Sequence, residues 1–276
     1  MMCVPGCMDI VHTRLTRRGF FRRASLVAAG ASALAAMPGL AQAEQVRFSS
    51  ALDLTHTLTP DFPTFTGKPG IEMEHLAELR KDGYNMNAWR LVEHSGTHLD
   101  APIHFSEAGK DVAGIEAAML IAPLAVIDVS TKAEQDPDYL LSRADLASWE
   151  AKNGTLPNGC CVAMHSGWGR LATADPARFI GRDVNGTMHF PGVAPEAAEW
   201  LLKERQVAGL AVDTLSLDNG PSADFKTHYL WLPSGRWGLE NVANLDQAPA
   251  TGATLVVGLP KVKDATGAPV RLFALM

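Results

Sequence analysis

Three of the chain's nine histidines fall within eleven consecutive residues. Residues 94–104 read His-Ser-Gly-Thr-His-Leu-Asp-Ala-Pro-Ile-His. Imidazole moves protons near neutral pH and ligates transition metals, and Asp100 adds an anionic oxygen donor. A mixed nitrogen and carboxylate donor set suits Zn2+, Mn2+ or Fe2+ better than Ca2+ or Mg2+. A single histidine is usually a satisfied core or surface residue; three with an aspartate at this density point to a metal centre.

The spacing constrains how these residues are held. His94 and His98 are four apart, as in helical zinc motifs. Gly96 and Thr97 are poor helix residues, however, and Pro102 follows closely. In extended chain His94, Gly96, His98 and Asp100 share one parity and one face. A straight strand would separate His94 from His98 by about 13 Å, too far for both to reach one ion at about 2.1 Å. Gly96 offers relief, because glycine permits a bulge that draws the rings together. The second half supplies matching parts. His228 lies in Thr227-His228-Tyr229, and Glu240 sits in an apolar stretch where a carboxylate needs a cation or a donor. Capping or ion pairing would explain either residue alone.

The elements that position these groups read as mixed α/β. Apolar and β-branched runs predict strands at about 50–58, 87–95, 123–129, 160–165, 207–213, 253–258 and 269–275. A helix is expected at about 143–152, with Ser142 as N-cap and Asn153-Gly154 as the stop. A second is expected at about 195–206, opened by Pro195. The stretches 59–86 and 214–252 read as long loops, which are usually functional when ordered. Adjacent Cys160 and Cys161 fall in a strand and read as small buried hydrophobes.

The N-terminal stretch has a different character. Thr16-Arg17-Arg18-Gly19-Phe20-Phe21-Arg22 precedes an Ala- and Gly-rich apolar run ending in Ala41-Gln42-Ala43. A basic region, a short apolar run and a small-x-small end make an export signal. The paired arginines resemble the twin-arginine type, which implies export of an already folded protein to the periplasm by that machinery. Residues 1–43 are expected to be cleaved after Ala43, leaving a single domain over 44–276; an uncleaved anchor is the alternative, and the run is short for one. The whole chain carries −6; without Arg14, Arg17, Arg18, Arg22, Arg23 and Asp9 of residues 1–43 the charge becomes −10. That balance argues against a nucleic-acid partner, and no membrane contact is expected after processing.

His94-x-Gly-Thr-His98-x-Asp100-Ala-Pro-x-His104-Phe105 resembles the signature of the metal-dependent cyclase-like hydrolases, a family that includes kynurenine formamidases and isatin hydrolases. Asp53-Leu54-Thr55-His56, His189-Phe190-Pro191-Gly192, the Val212–Asp218 stretch and Gly267-Ala268-Pro269-Val270-Arg271 extend the resemblance along nearly the whole of 44–276.

The resemblance implies a single swivelling-type α/β domain, with a mixed β-sheet and flanking helices, in a homo-oligomer. It implies that His94, His98 and Asp100 hold a first ion, and that Asp100 bridges to a second held by His228 and Glu240. One or two ions are expected, Zn2+ or alternatively Mn2+. His104 would be general acid/base beside a metal-bound hydroxide. Phe65, His56 and Trp168 are candidate pocket residues, His56 reading equally well as packing at a strand end. His165 is open between pocket and structure, His75 and His189 read as structural or exposed, and Asp213, Thr214, Ser216 and Asp218 as residues that shape the site. The kynurenine formamidases typically carry Trp where Phe65 stands, so an indole N–H is missing here. The implied activity is hydrolysis of a C–N bond in a small aromatic or cyclic amide. Arylformamidase activity proper, dehydrating cyclisation and a non-catalytic metal- or ligand-binding role are the alternatives. Retention of His104 favours turnover, since a mere binder needs no spare acid/base.

Overall fold

In the chain's interior, residues alternate between two cores. Along Ile121–Asp128 (β5), Leu124 and Val126 enter one hydrophobic cluster, and Ala125 and Ile127 enter another. Cys160–His165 (β7) divides likewise, with Cys161 and Ala163 on one side and Cys160, Val162 and Met164 on the other. Strands buried on both faces read as continuous apolar runs, which is why these segments stand out in the sequence. Both cysteines are free and buried, and burial pushes the Cys160 thiol up to about 11. They serve as small core residues.

The computed structural model describes residues 48–276, which form one compact unit. The expected export signal and its processing point after Ala43 lie outside the described residues. Among the described residues no helix is long and apolar enough to cross a membrane. A nine-stranded mixed sheet organises the unit. Its remaining strands are Ala51–Asp53 (β1), His98–Asp100 (β4), Val207–Val212 (β9), Trp237–Glu240 (β10), Ala253–Gly258 (β11), Gly267–Pro269 (β12) and Arg271–Leu275 (β13), while Leu140–Leu141 (β6) and Gly192–Val193 (β8) pair in parallel apart from it. The order is β1-β13-β11-β5-β7-β9-β10-β4-β12, with β5, β7, β9 and β10 mutually parallel and antiparallel pairs on either side.

Both expected helices form and cover one face. Arg143–Asn153 opens on a capping box in which Ser142 and Asp145 satisfy each other's backbone N–H groups, and Leu146 and Trp149 enter the second core. Pro195–Glu204 starts on its proline and buries Ala197, Ala198 and Leu201 in the same core.

The expected loops are more structured than their composition suggests. The 59–86 stretch holds the strand Ile71–Ala77 (β2), which pairs with Met86–Leu91 (β3) in a separate two-stranded sheet. Met73 faces Trp89 across it, and both are exposed. The expected 87–95 strand therefore ends at Leu91, where the chain turns toward the site. The 214–252 stretch contains the helix Lys226–Trp231 and β10. β10 is only four residues long, and its strand form comes from pairing with β9 and β4, neighbours that are remote in sequence.

Candidate metal centre

The 94–100 segment is part turn and part strand. Gly96 has a φ of +61°, a left-handed conformation that glycine adopts without strain. The loop is pinned on both sides. Ser95 Oγ donates to Val92 O at 2.6 Å, and Thr97 Oγ1 donates to Asn241 O at 2.6 Å. The strand starts only at His98, so the expected bulge within a 94–100 strand is instead a turn that precedes it. His98 and Asp100 share a face, as parity requires, and His94 folds back until its Nδ1 is 2.6 Å from Asp100 Oδ1. Register supplies the next donor: β10 runs antiparallel to β4 and sets Glu240 opposite His98. A 3-10 turn over Pro102–Phe105 then returns His104, whose ring stacks on His94 at 3.9 Å and 20°.

These groups converge closely. His98 Nε2 lies 3.2 Å from Glu240 Oε2 and 3.4 Å from Asp100 Oδ1. His228 Nε2 lies 3.1 Å from Glu240 Oε1 and 3.5 Å from Asp100 Oδ2. Each imidazole is oriented through its other nitrogen. His98 Nδ1–H donates to Gly96 O at 2.9 Å, and His228 Nδ1 donates to Asp218 Oδ2 at 2.6 Å. That arrangement directs both Nε2 atoms at the carboxylates, as residues behind a metal's ligands commonly do. Glu240 is braced by Leu217 N–H at 3.0 Å.

The electrostatics describe a site short of cations. Burial disfavours the charge on Asp100 and Glu240, yet the surrounding imidazoles outweigh it and hold both carboxyls below their ordinary range. Burial likewise opposes charge on His98, but Asp100 and Glu240 raise it to about 10; His228 is raised well above its usual value by the same carboxylates and Asp218. Even so, these approaches are not aligned as hydrogen bonds, and buried His98 Nε2 and Asp100 Oδ2 are left without a partner. Orphaned buried donors and acceptors are rare and ask for an explanation. A divalent ion fits: it would satisfy both orphan atoms and would replace the protons the cluster otherwise holds. Two ligand groupings satisfy close approach, His98 with Asp100 and Glu240, and His94 with Asp100 and His104, their donor atoms lying within 4.8 Å of one another. Asp100 belongs to both.

Above the cluster opens a cavity of about 700 Å³. Phe65, Phe105 and Phe225 form its apolar walls, and Lys68, Glu72 and Arg90 stand among its polar lining residues. Phe225 lies 6.0 Å from Phe65 and 5.9 Å from Phe105, ring to ring. Burial drives His104 down to about 4, with His94 and His228 adding to the effect and Asp100 and Glu240 opposing it.

Several expected pocket residues lie elsewhere. Trp168 is 4% exposed, packs in a third cluster with Phe62 and Phe179, and donates from Nε1 to Phe179 O. It borders a separate cavity of about 300 Å³, together with His165. His165 faces Asp128 at 3.4 Å. His56 packs its ring on Phe62 at 5.5 Å and does not line the main cavity. Asp213 accepts from Ser166 and braces that loop, whereas Asp218 orients His228 and Ser216 lines the cavity. Phe225 escaped the sequence reading; it sits in a stretch taken as loop, in a left-handed conformation at φ +48°. Phe105 had a visible signal, since it ends the 94–105 motif.

Comparison with known proteins agrees with this geometry. The Cyclase family model matches residues 52–219. An isatin hydrolase of Roseibium aggregatum is 36% identical over 230 residues, covering 79% of this chain and 85% of that one. A kynurenine formamidase of Bacillus cereus is 26% identical over 233 residues, covering 82% and 97%. Among solved structures, an isatin hydrolase bound to the product analogue thioisatinate superposes with a TM-score of 0.77 at 31% identity, covering 92% of this chain and 98% of that one. Isatin hydrolase A from Labrenzia aggregata, bound to benzyl benzoate, gives 0.76 at 34% identity, covering 82% and 93%. The family match spans more than half of the sequence and includes every residue of the His94–Phe105 signature, so the chain belongs to the Cyclase family.

Proposed function

We propose that the protein is a metal-dependent hydrolase that opens the C–N bond of a small aromatic or cyclic amide. The observation that carries this reading is the pair of orphaned buried atoms, His98 Nε2 and Asp100 Oδ2, beside a cavity that His98 lines and phenylalanines wall. His94, His98, Asp100, His228 and Glu240 would hold one or two ions, Zn2+ or alternatively Mn2+. When bound, a divalent ion supplies Lewis acidity and makes water nucleophilic near neutral pH.

The chain's own residues do the rest. Phe65, Phe105 and Phe225 present apolar faces to a flat ring and exclude water from it. His104 is kept neutral by burial, so its ring can accept a proton from the attacking water and return it to the departing nitrogen. The hydroxyl ends on the carbonyl carbon and the proton on nitrogen; a cyclic amide opens to an amino carboxylate. The greater similarity to isatin hydrolase than to kynurenine formamidase, together with phenylalanine at position 65, favours a cyclic amide over a formamide. A homo-oligomer belongs to the same reading and is supported by the apolar, exposed face of the β2–β3 hairpin.

The test is a panel of isatin, N-formyl anilines and cyclic imides, followed by proton release at neutral pH. Turnover is expected on a cyclic aromatic amide. Activity confined to phosphate or glycosidic bonds overturns the reading.

We also propose twin-arginine export and a periplasmic location. The Arg17→Lys, Arg18→Lys double variant should leave unprocessed protein in the cytoplasm, whereas wild type should begin at Glu44. Normal periplasmic processing of the double variant overturns this route.

A further inference from the structure

His94 differs from the other two imidazoles of the cluster. His98 and His228 aim Nε2 at the carboxylates, while His94 aims Nδ1. Its Nε2 points away, to Thr266 Oγ1 at 2.9 Å. Thr266 is engaged in turn by Glu93. The carboxylate oxygen Oε2 lies within hydrogen-bond distance of Thr266 Oγ1 and accepts from Thr266 N–H at 3.1 Å.

Counting protons along this chain of atoms fixes their direction. A threonine hydroxyl has one proton. Glu93 Oε2 already acts as an acceptor, so the hydroxyl proton goes to Glu93. Thr266 Oγ1 can then only accept from His94, which requires the proton on Nε2. In the neutral ring this leaves a lone pair on Nδ1, pointing at Asp100 Oδ1 from 2.6 Å. Two lone pairs at that separation repel unless a cation lies against both.

Backbone packing holds the ring in the same pose. A Cβ on Gly267 would stand 2.5 Å from His94 Cε1 and 2.6 Å from Leu99 O, so the imidazole rests on bare backbone there. Gly267 pairs with Asp100 across β12 and β4, and one register therefore places both the ring's support and its carboxylate neighbour.

We propose that Thr266, steered by Glu93, is a positioning residue that locks His94 in the Nε2–H tautomer and so presents Nδ1 to the metal. The proposal rests on the metal-centre reading above. It assigns His94 the opposite ligating nitrogen from His98 and His228.

Two measurements test it on the full processed chain. The first is 15N NMR of the histidine rings in Zn2+-loaded protein, where the bound ion would supply the cation between Nδ1 and Asp100. Wild type should show the Nε2–H tautomer for His94, Thr266→Val a mixture, and Thr266→Ser the wild-type form. The second is Zn2+ affinity by chelator competition. Thr266→Val should weaken it by roughly 10–100-fold, the usual effect of removing a partner behind a ligand, and Thr266→Ser should restore it. Glu93→Ala keeps the threonine and frees its hydroxyl to turn; it should shift both readouts the same way by less, and it covers the case in which Thr266→Val fails to fold. Unchanged tautomer and unchanged affinity in Thr266→Val, or in Glu93→Ala if that is the variant that folds, overturn the proposal. Wild type that binds no zinc overturns the metal reading itself, whereas zinc binding by wild type that these variants leave unchanged overturns the positioning role alone.

Discussion

His98→Ala is expected to be purified without metal and without measurable turnover. His98 stands at the middle of the cluster, buried in β4 and opposite Glu240 in β10. Its Nε2 is one of the orphaned atoms of the site, and its Nδ1 is already committed to Gly96 O. Removing the ring leaves Asp100 and Glu240 buried with fewer neighbouring donors, and mutual repulsion between them rises. The loss of affinity should exceed the 10–100-fold typical of a change behind a ligand. Stability gives a second readout. A metal at 100 times its dissociation constant stabilises a folded chain by about 2.7 kcal/mol. A chelator should therefore lower the Tm of wild type and leave that of His98→Ala unmoved. Elemental analysis completes the test, and stoichiometric metal retained by His98→Ala would sink the assignment.

His104→Ala should behave differently, keeping most of its metal while turnover falls by roughly 10²–10⁴, the usual worth of general acid–base catalysis. His104 leans on His94 ring to ring, lines the cavity, and is held neutral by burial. A neutral imidazole above the floor of the site can shuttle a proton. The same closeness to His94 and Asp100 also lets it serve as a ligand. Metal content separates the two roles. Should His104→Ala lose metal as completely as His94→Ala does, His104 is a ligand and the acid/base role passes elsewhere.

Much of the site was legible because its central residues are close in sequence. Parity placed His98 and Asp100 on one face, and residue types alone pointed to a metal centre. The pose of His94 was less accessible, since it depends on a left-handed turn at Gly96 rather than on strand periodicity. Thr266 and Glu93 could not be paired from sequence at all. They lie 173 positions apart and meet only because β12 docks on β4. Trp168 misled for a related reason: an aromatic beside glycines reads equally well as pocket wall or as core, and tertiary packing put it in core. The fold divides along the same line. Strands buried on both faces and a helix with a complete cap announce themselves locally. β10 does not, because its four residues become a strand only between β9 and β4. Of the β2–β3 hairpin, β3 falls largely within the expected 87–95 strand, whereas Ile71–Ala77 lies in a stretch that reads as loop because Glu72, Glu74 and His75 interrupt its apolar residues.

That hairpin has a spectroscopic consequence. Of the chain's six tryptophans, Trp149, Trp168, Trp231 and Trp237 are buried and Trp200 is half-covered, with the Arg205 guanidinium 4.4 Å from its ring centre. Trp89 is 68% exposed. Solvent-relaxed, red-edged emission open to collisional quenchers therefore comes mainly from one ring on a two-stranded arm, next in sequence to a residue lining the cavity, Arg90. The protein carries an intrinsic fluorophore for events at that arm, optically separable from its five shielded counterparts, and no label has to be attached to follow them.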